Sequence, residues 1–240
     1  MQNIALDYHL VIDIETVPLC KYFGEASAEM QGLWASKHQL LKIADETQAE
    51  SFEKRAGIYA EFGKVICISI GYFHKQHEGF KFRMKSFYGD DEAALLQSFS
   101  LLLNQLYKQN QNFVFAGHNI REFDIPYLCR RMMINNVALP SLLNFSGKKP
   151  WELHCVDTLH LWRFGDYKNY TSLKLMAFVL GIPSPKEDIE GKDIARVYWH
   201  ENDLTRIVSY CQRDVTTVAR LLLRFRNEQF ELSDEDVVVV

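Results

Sequence analysis

Three short stretches concentrate side chains able to bind cations or handle a proton. In LVIDIET, Asp13 and Glu15 alternate with Ile12 and Ile14. Side chains two apart on a strand share a face, so both carboxylates point one way and both isoleucines the other. Two carboxylates on one face of an apolar strand repel each other and resist losing their water. Such a pair is tolerable where the strand end opens into a solvated cleft, or where cations sit between the acids. The spacing alone is unspecific, because Asp188 and Glu190 repeat it in a loop-like stretch of a chain with 31 acidic residues.

The second stretch is GHNIREFDIPYL, residues 117–128. Asp124 reads as the N-cap of a helix with Pro126 in its first turn. It reads equally as a ligand at a strand-to-helix junction, where open sheets place their sites. Asn119 offers an amide and Phe123 a stacking surface to a nucleotide, although Phe123 also fits as a core residue ahead of the helix. The third stretch, YCQRDVTTVARLL, belongs to a long helix with an apolar stripe through Ile207, Val208, Cys211, Val215, Val218 and Leu222. Tyr210 and Asp214, four apart, share one face at the flank of that stripe. The competing reading pairs Arg213 with an acid and leaves Asp214 on the surface.

The elements that position these stretches are legible in outline. Residues 9–14 form a buried strand, and 64–73 with 80–88 form a hairpin across the polar HKQHEG. A helix over 91–108 precedes a strand at 112–119 and a helix at 125–134. Residues 153–162 read as a strand entering a helix at Asp157, followed by short helices at 172–180 and 193–200 and a long one at 203–227. The order implies an α/β fold, a mixed sheet flanked by helices, in one domain over 1–240 with a helical insertion at about 19–62. In that insertion Leu33, Trp34, Leu40, Leu41, Phe52 and Tyr59 recur at helical intervals. Lys37, Lys42, Lys54 and Arg55 are available to phosphates, but a solvated helix face is the better reading. The SDED-VVVV tail reads as a frayed end, and His74 with His77 as part of a polar turn rather than a zinc site.

Taken together and in order, D-I-E-T, N-I-R-E-F-D-I-P-Y-L and Y-C-Q-R-D resemble the three motifs of the DEDD exonucleases. The resemblance is to the Tyr-containing branch, and within it to stand-alone proteins similar to the proofreading domain of family-B DNA polymerases. SLKLMAFVLGIP, residues 172–183, resembles the family's segment before its third motif. The resemblance implies an RNase H-like fold, a mixed five-stranded sheet with helices on both faces. It implies a 3'-5' exonuclease using two divalent cations, Mg²⁺ or Mn²⁺. Asp13 would bridge the ions, Glu15 and Asp214 would hold the one that activates water, and Asp124 would help hold the other. Tyr210 would orient the attacking water, since a phenol with an ordinary pKa of ~10 is a poor base at neutral pH. Thr16, Asn119 and Phe123 would grip the terminal nucleotide. The implied partner is single-stranded nucleic acid or a 3' end; Tyr210, in place of the histidine of some relatives, favours DNA over RNA. A catalytically silent binding module of the same fold and an exoribonuclease acting on short RNA are the alternatives.

Bulk properties set limits. A net charge of −4 lacks the broad basic footprint of a passive nucleic-acid coat, yet it is compatible with a nuclease whose cations cancel acidic charge locally. Five scattered cysteines with no C-x-x-C point to thiols in a reducing compartment. The first residues lack a leader pattern, and no run approaches the ~20 apolar residues that span a bilayer. A soluble, cytoplasmic protein with no membrane association is expected.

Overall fold

The computed structural model describes residues 4–43, 45–76, 79–149, 152, 155–183 and 188–240. Strand β1 (His9–Pro18) is the hub of the sheet. On one side it pairs antiparallel with β2 (Gly63–Gln76), which pairs antiparallel with β3 (Gly79–Tyr88). On the other it runs parallel to β4 (Val114–Gly117), which runs parallel to β5 (Cys155–Asp157). This five-strand order, with only β2 reversed, is the RNase H-like arrangement expected.

The sheet nevertheless has six strands, in the order β5-β4-β1-β2-β3-β6. The tail read as frayed forms β6 (Val237–Val239), parallel to Phe82–Met84 of β3. The acids ahead of it are its anchors: Lys81 Nζ lies 2.7 Å from Asp236, and Arg220 Nη2 lies 2.6 Å from Asp234. Val237 packs against the cluster that contains Phe82 and Leu222.

Helices α3 (Glu92–Gln109) and α4 (Asp124–Ile134) cover one face and α8 (Leu204–Arg226) covers the other. Alternation along β1 feeds both layers. Leu10, Ile12 and Ile14 join Leu96, Phe99 and Leu128 on the α3/α4 side. Val11 joins Val215, Val218 and Leu222 of α8, and Val17 joins Ile207 near the start of the same helix. Helix α8 is therefore fixed to β1 at two points, with Asp13 and Glu15 between them.

The insertion folds into α1 (Ala28–Leu41) and α2 (Gln48–Arg55), whose N-cap Thr47 forms a reciprocal capping box with Glu50. Both helices close over Trp34, which is fully buried against Phe52, Ala56 and Phe62. Leu33 and Leu40 point to solvent instead of joining that cluster. Lys54 and Arg55 pair with Glu46, and Lys37 lies over the Tyr59 ring, as on an ordinary solvated face. Two shorter helices, α5 (Thr158–Arg163) and α6 (Leu173–Val179), precede the region 191–201. That region, where one helix is expected over 193–200, is a 3-10 turn, a single α turn, α7 (Ile194–Arg196), and a π turn in succession. His74 sits in β2, whereas His77 lies outside the described residues. Among the described residues no helix is long and apolar enough to cross a membrane.

Candidate active site

Strand β4 ends at Gly117 while β1 runs on, which leaves the β4-side edge of β1 unpaired beyond Val11. The crevice outside the carboxyl ends of parallel strands is where open sheets gather ligands. Gly117 is required at this point, since a Cβ there would lie 2.9 Å from the Ile12 carbonyl oxygen and would collide with Ile120. After it the chain turns through Asn119, in the left-handed region at φ 64°, which asparagine tolerates better than most residues. The buried Asp157 carboxylate holds this turn by accepting from the backbone N–H groups of Asn119 and Arg121, while also capping α5 through Leu159 and His160.

Asp124 is consequently the first residue of α4 and not its N-cap, a position Phe123 takes without a side-chain bond. Its carboxylate reaches across to β1 and accepts the Ile14 N–H at 3.1 Å, filling the place that β4 vacates. Asp13 and Glu15 face α8, opposite Ser69 and Cys67 of β2. Tyr210 and Asp214 approach from α8, one helical turn apart, with Cys211 directly after Tyr210. Arg213 turns away to Asp188, so it does not draw Asp214 to the surface.

These side chains line one cleft of about 440 Å³: Asp13, Glu15, Asn119, Phe123, Asp124, Tyr210 and Asp214. Thr16 is not among its lining residues. Its hydroxyl donates to the Gly57 carbonyl at 2.8 Å and ties the insertion to β1, on the strand face opposite the acids. The insertion contributes no described residue to the cleft wall. His118, Tyr170, Lys174 and Glu190, which are not among the candidate residues of the three motifs, also line the cleft. His118 adjoins Asn119 in the GHN run, a signal that was available; Tyr170 and Lys174 arrive only through the packing of α5 and α6. His118 holds that packing, with one ring nitrogen 3.0 Å from the Thr158 hydroxyl and the other 3.0 Å from the Thr171 carbonyl oxygen.

The electrostatics are those of crowded acids. Burial, then the charges of Asp214 and Asp124, hold the Asp13 carboxyl well above the usual carboxylate range. Burial and Asp13 do the same to Glu15. Asp124 is pushed up to about 7, by burial first and then by Asp157 and Asp214, against two backbone hydrogen bonds that favour its charge. Asp13 Oδ2 and Asn119 Oδ1 are buried with no hydrogen-bond partner. Oxygens of Asp13 and Glu15 and the Cys211 sulfur lie within 4.8 Å of one another. The Cys211 thiol itself donates to the Asp13 backbone carbonyl at 3.4 Å. Orphaned carboxylate oxygen beside like charge is what a hard divalent cation relieves, and the donor set fits such an ion.

The fold and the cleft define an RNase H-like domain with an acid-lined site at the ends of its parallel strands. Residues 58–239 match the family described as "Predicted 3'-5' exonuclease related to the exonuclease domain of PolB", and the chain belongs to that family. The matched span includes Asp124, Tyr210 and Asp214; Asp13 and Glu15 precede it and join them through the pairing of β1 with β2. Among solved structures, the chain is similar to the family B DNA polymerase of Pyrobaculum calidifontis, with a TM-score of 0.54 and 17% identity. That likeness, which concerns the fold, covers 90% of this chain and 24% of the polymerase. A search of curated proteins returns no match.

Proposed function

We propose that this chain is a metal-dependent 3'-5' exonuclease of the Tyr-containing DEDD type. It removes nucleotides from the 3' ends of single-stranded nucleic acid, DNA in preference to RNA, in the cytoplasm. The reading rests on one observation: four carboxylates from three separate stretches of chain converge with Tyr210 on one cleft, and one buried carboxylate oxygen there has no partner. The family points to the same reaction. The five cysteines, none in a disulfide, suit a reducing compartment.

Asp13, Glu15, Asp124 and Asp214 would hold two divalent cations, Mg²⁺ or Mn²⁺. Bound there, such ions supply positive charge for the phosphate and ease the ionisation of water. The chain's own groups do the rest. Tyr210 orients the attacking water through its phenol, the Phe123 ring stacks on the terminal base, and Asn119 offers its free amide oxygen as an acceptor. The water oxygen bonds to phosphorus as the bond from phosphorus to the 3' oxygen breaks. A proton goes to that leaving oxygen, and a nucleoside 5'-monophosphate departs. Thr16 fastens the insertion and takes no part.

The test offers 3'-labelled and 5'-labelled single-stranded DNA, duplex DNA and RNA with Mg²⁺, Mn²⁺ or chelator. Loss from 3' ends that stops with chelator is expected, as is loss of cleavage in Asp13→Ala and Asp214→Ala with the circular dichroism spectrum kept. Digestion from 5' ends, or turnover indifferent to chelation, would overturn the assignment.

A further inference from the structure

Beside the cleft lies a face of aromatic rings with little packed on them. Helix α5 ends at Phe164, which takes up a left-handed backbone conformation at φ 45° and is 93% exposed. A bulky residue in that conformation is strained, and here no burial offsets the strain. Tyr167 (71% exposed), Tyr170 (63%) and Phe178 (81%) follow along the same stretch. A cluster of exposed aromatic rings is unusual for a surface that meets only water.

The face is continuous with the cleft. Tyr170 lines the cleft and meets His118 edge-on at 6.3 Å. Tyr167 meets His160 edge-on at 6.5 Å, and the Arg163 guanidinium lies 5.7 Å from its ring centre. His160 and Arg163 both bind Glu122, the neighbour of Phe123. On α6, Lys174 lines the cleft and Phe178 follows one turn later on the same helix face. Charge also separates this stretch from the rest of an acidic chain. Over 160–180 the sequence carries Arg163, Lys168 and Lys174 against one acid, Asp166, while Glu122 and Glu190 from outside the stretch pair with Arg163 and Lys174. The Asp166 carboxylate is already occupied by the Lys168 N–H and the Asn169 amide.

We propose that this face is the path of the single strand upstream of its 3' end, with unpaired bases stacked on Tyr170, Tyr167 and Phe178 and phosphates beside Lys168 and Lys174. The inference rests on the nuclease reading above and deepens it. Rings interleaved with cations and leading into an active-site cleft are how sequence-tolerant strand binding is built. The core of a protein-binding patch is instead depleted of lysine.

The test uses the full chain and 5'-labelled oligothymidylate of about twelve nucleotides, within the range of single-strand site sizes. Binding is read by fluorescence anisotropy in chelator, where the strand is not turned over, for wild type, Tyr167→Ala/Phe178→Ala and Tyr167→Trp. Both substituted side chains are exposed, so the fold is kept. The double variant should bind at least about thirtyfold more weakly, in keeping with the loss of two base-stacking contacts, and Tyr167→Trp should bind like wild type. With Mg²⁺, the double variant should show a raised KM for the oligonucleotide, an unchanged kcat and an unchanged KM for a dinucleotide. Equal affinity and KM in wild type and double variant overturn the path and leave the face to a protein partner. A wild type that hydrolyses no strand refutes the nuclease reading instead, and the anisotropy comparison still decides the path.

Discussion

Replacing Asp124 by asparagine probes the electrostatics of the cleft while keeping its packing. The amide oxygen can still accept the Ile14 N–H, as the carboxylate does at 3.1 Å. What changes is the charge. Burial, Asp157 and Asp214 hold the Asp124 carboxyl near 7 in the fold, against an ordinary value of 3.8. A group whose folded pKa is raised contributes stability that is full below its unfolded pKa and is lost as pH rises through its folded pKa. In chelator, wild type therefore loses stability between about pH 4 and pH 7 that the asparagine variant retains. Forcing this carboxyl to ionise costs roughly 4 kcal/mol, the free-energy equivalent of the displacement from 3.8 to about 7. For a chain of this size that corresponds to about 10 °C in Tm.

The assay is thermal and urea denaturation of both proteins in chelator, from about pH 4.5 to 8, with the difference plotted against pH. Burial depresses the pKa of His9 and His118, so these groups contribute stability above their unfolded pKa and lose it as pH falls. Both are present in both proteins and cancel in the difference. The asparagine variant should gain on wild type as pH rises. Added Mg²⁺ should erase or invert the gap, because cations stabilise only the protein whose ligands are complete. A variant less stable than wild type throughout, or a gap that does not change with pH, would refute the electrostatic account of the cleft.

Tyr210→Phe should lower kcat about tenfold, the equivalent of one lost orienting hydrogen bond, with Mg²⁺ affinity by calorimetry unchanged; equal loss of both would give the phenol another role. Asp157→Ala leaves the N–H groups of Asn119, Arg121, Leu159 and His160 without their acceptor, so urea denaturation should show a loss of about 3 kcal/mol or more, with a raised KM from the loosened Asn119 turn. Deleting 237–240 removes β6 and its packing on Phe82, and should lower stability by about 1–2 kcal/mol with kcat unchanged.

Much of the arrangement is legible in the sequence because it depends on short-range periodicity. Alternation in LVIDIET puts Asp13 and Glu15 on one face, and the apolar stripe of α8 fixes where Tyr210 and Asp214 sit relative to the sheet. The same alternation places Thr16 on the opposite face, so its position against Gly57 follows from the pattern that grouped the acids. The bond from Asp124 to Ile14 is different. It depends on β4 ending at Gly117 while β1 continues, a fact about the relative lengths of two strands far apart in sequence. Strand β6 was illegible for a related reason. Three valines behind a run of acids carry no pattern of their own, and their order comes from an ion pair to Lys81, 155 residues earlier.

The acids of β1 are costly to hold in place, and the residues around them show how the fold meets that cost. Ser69 and Cys67 on β2, with Cys211 on α8, are all small, so the side chains facing Asp13 and Glu15 leave volume beside the carboxylates. A leucine at any of the three would fill it. Apolar contacts lie immediately on either side: Val11 with Val215 and Val218 at one end, Val17 with Ile207 at the other. Stability is concentrated at the two ends of the contact between α8 and β1, and the strain of like charge is confined to its middle. Because both ends are fixed, that strain cannot be relieved by sliding or tilting the helix. Relief has to come from protons or cations entering the cleft, which makes the site both unstable when bare and preorganised for a divalent ion.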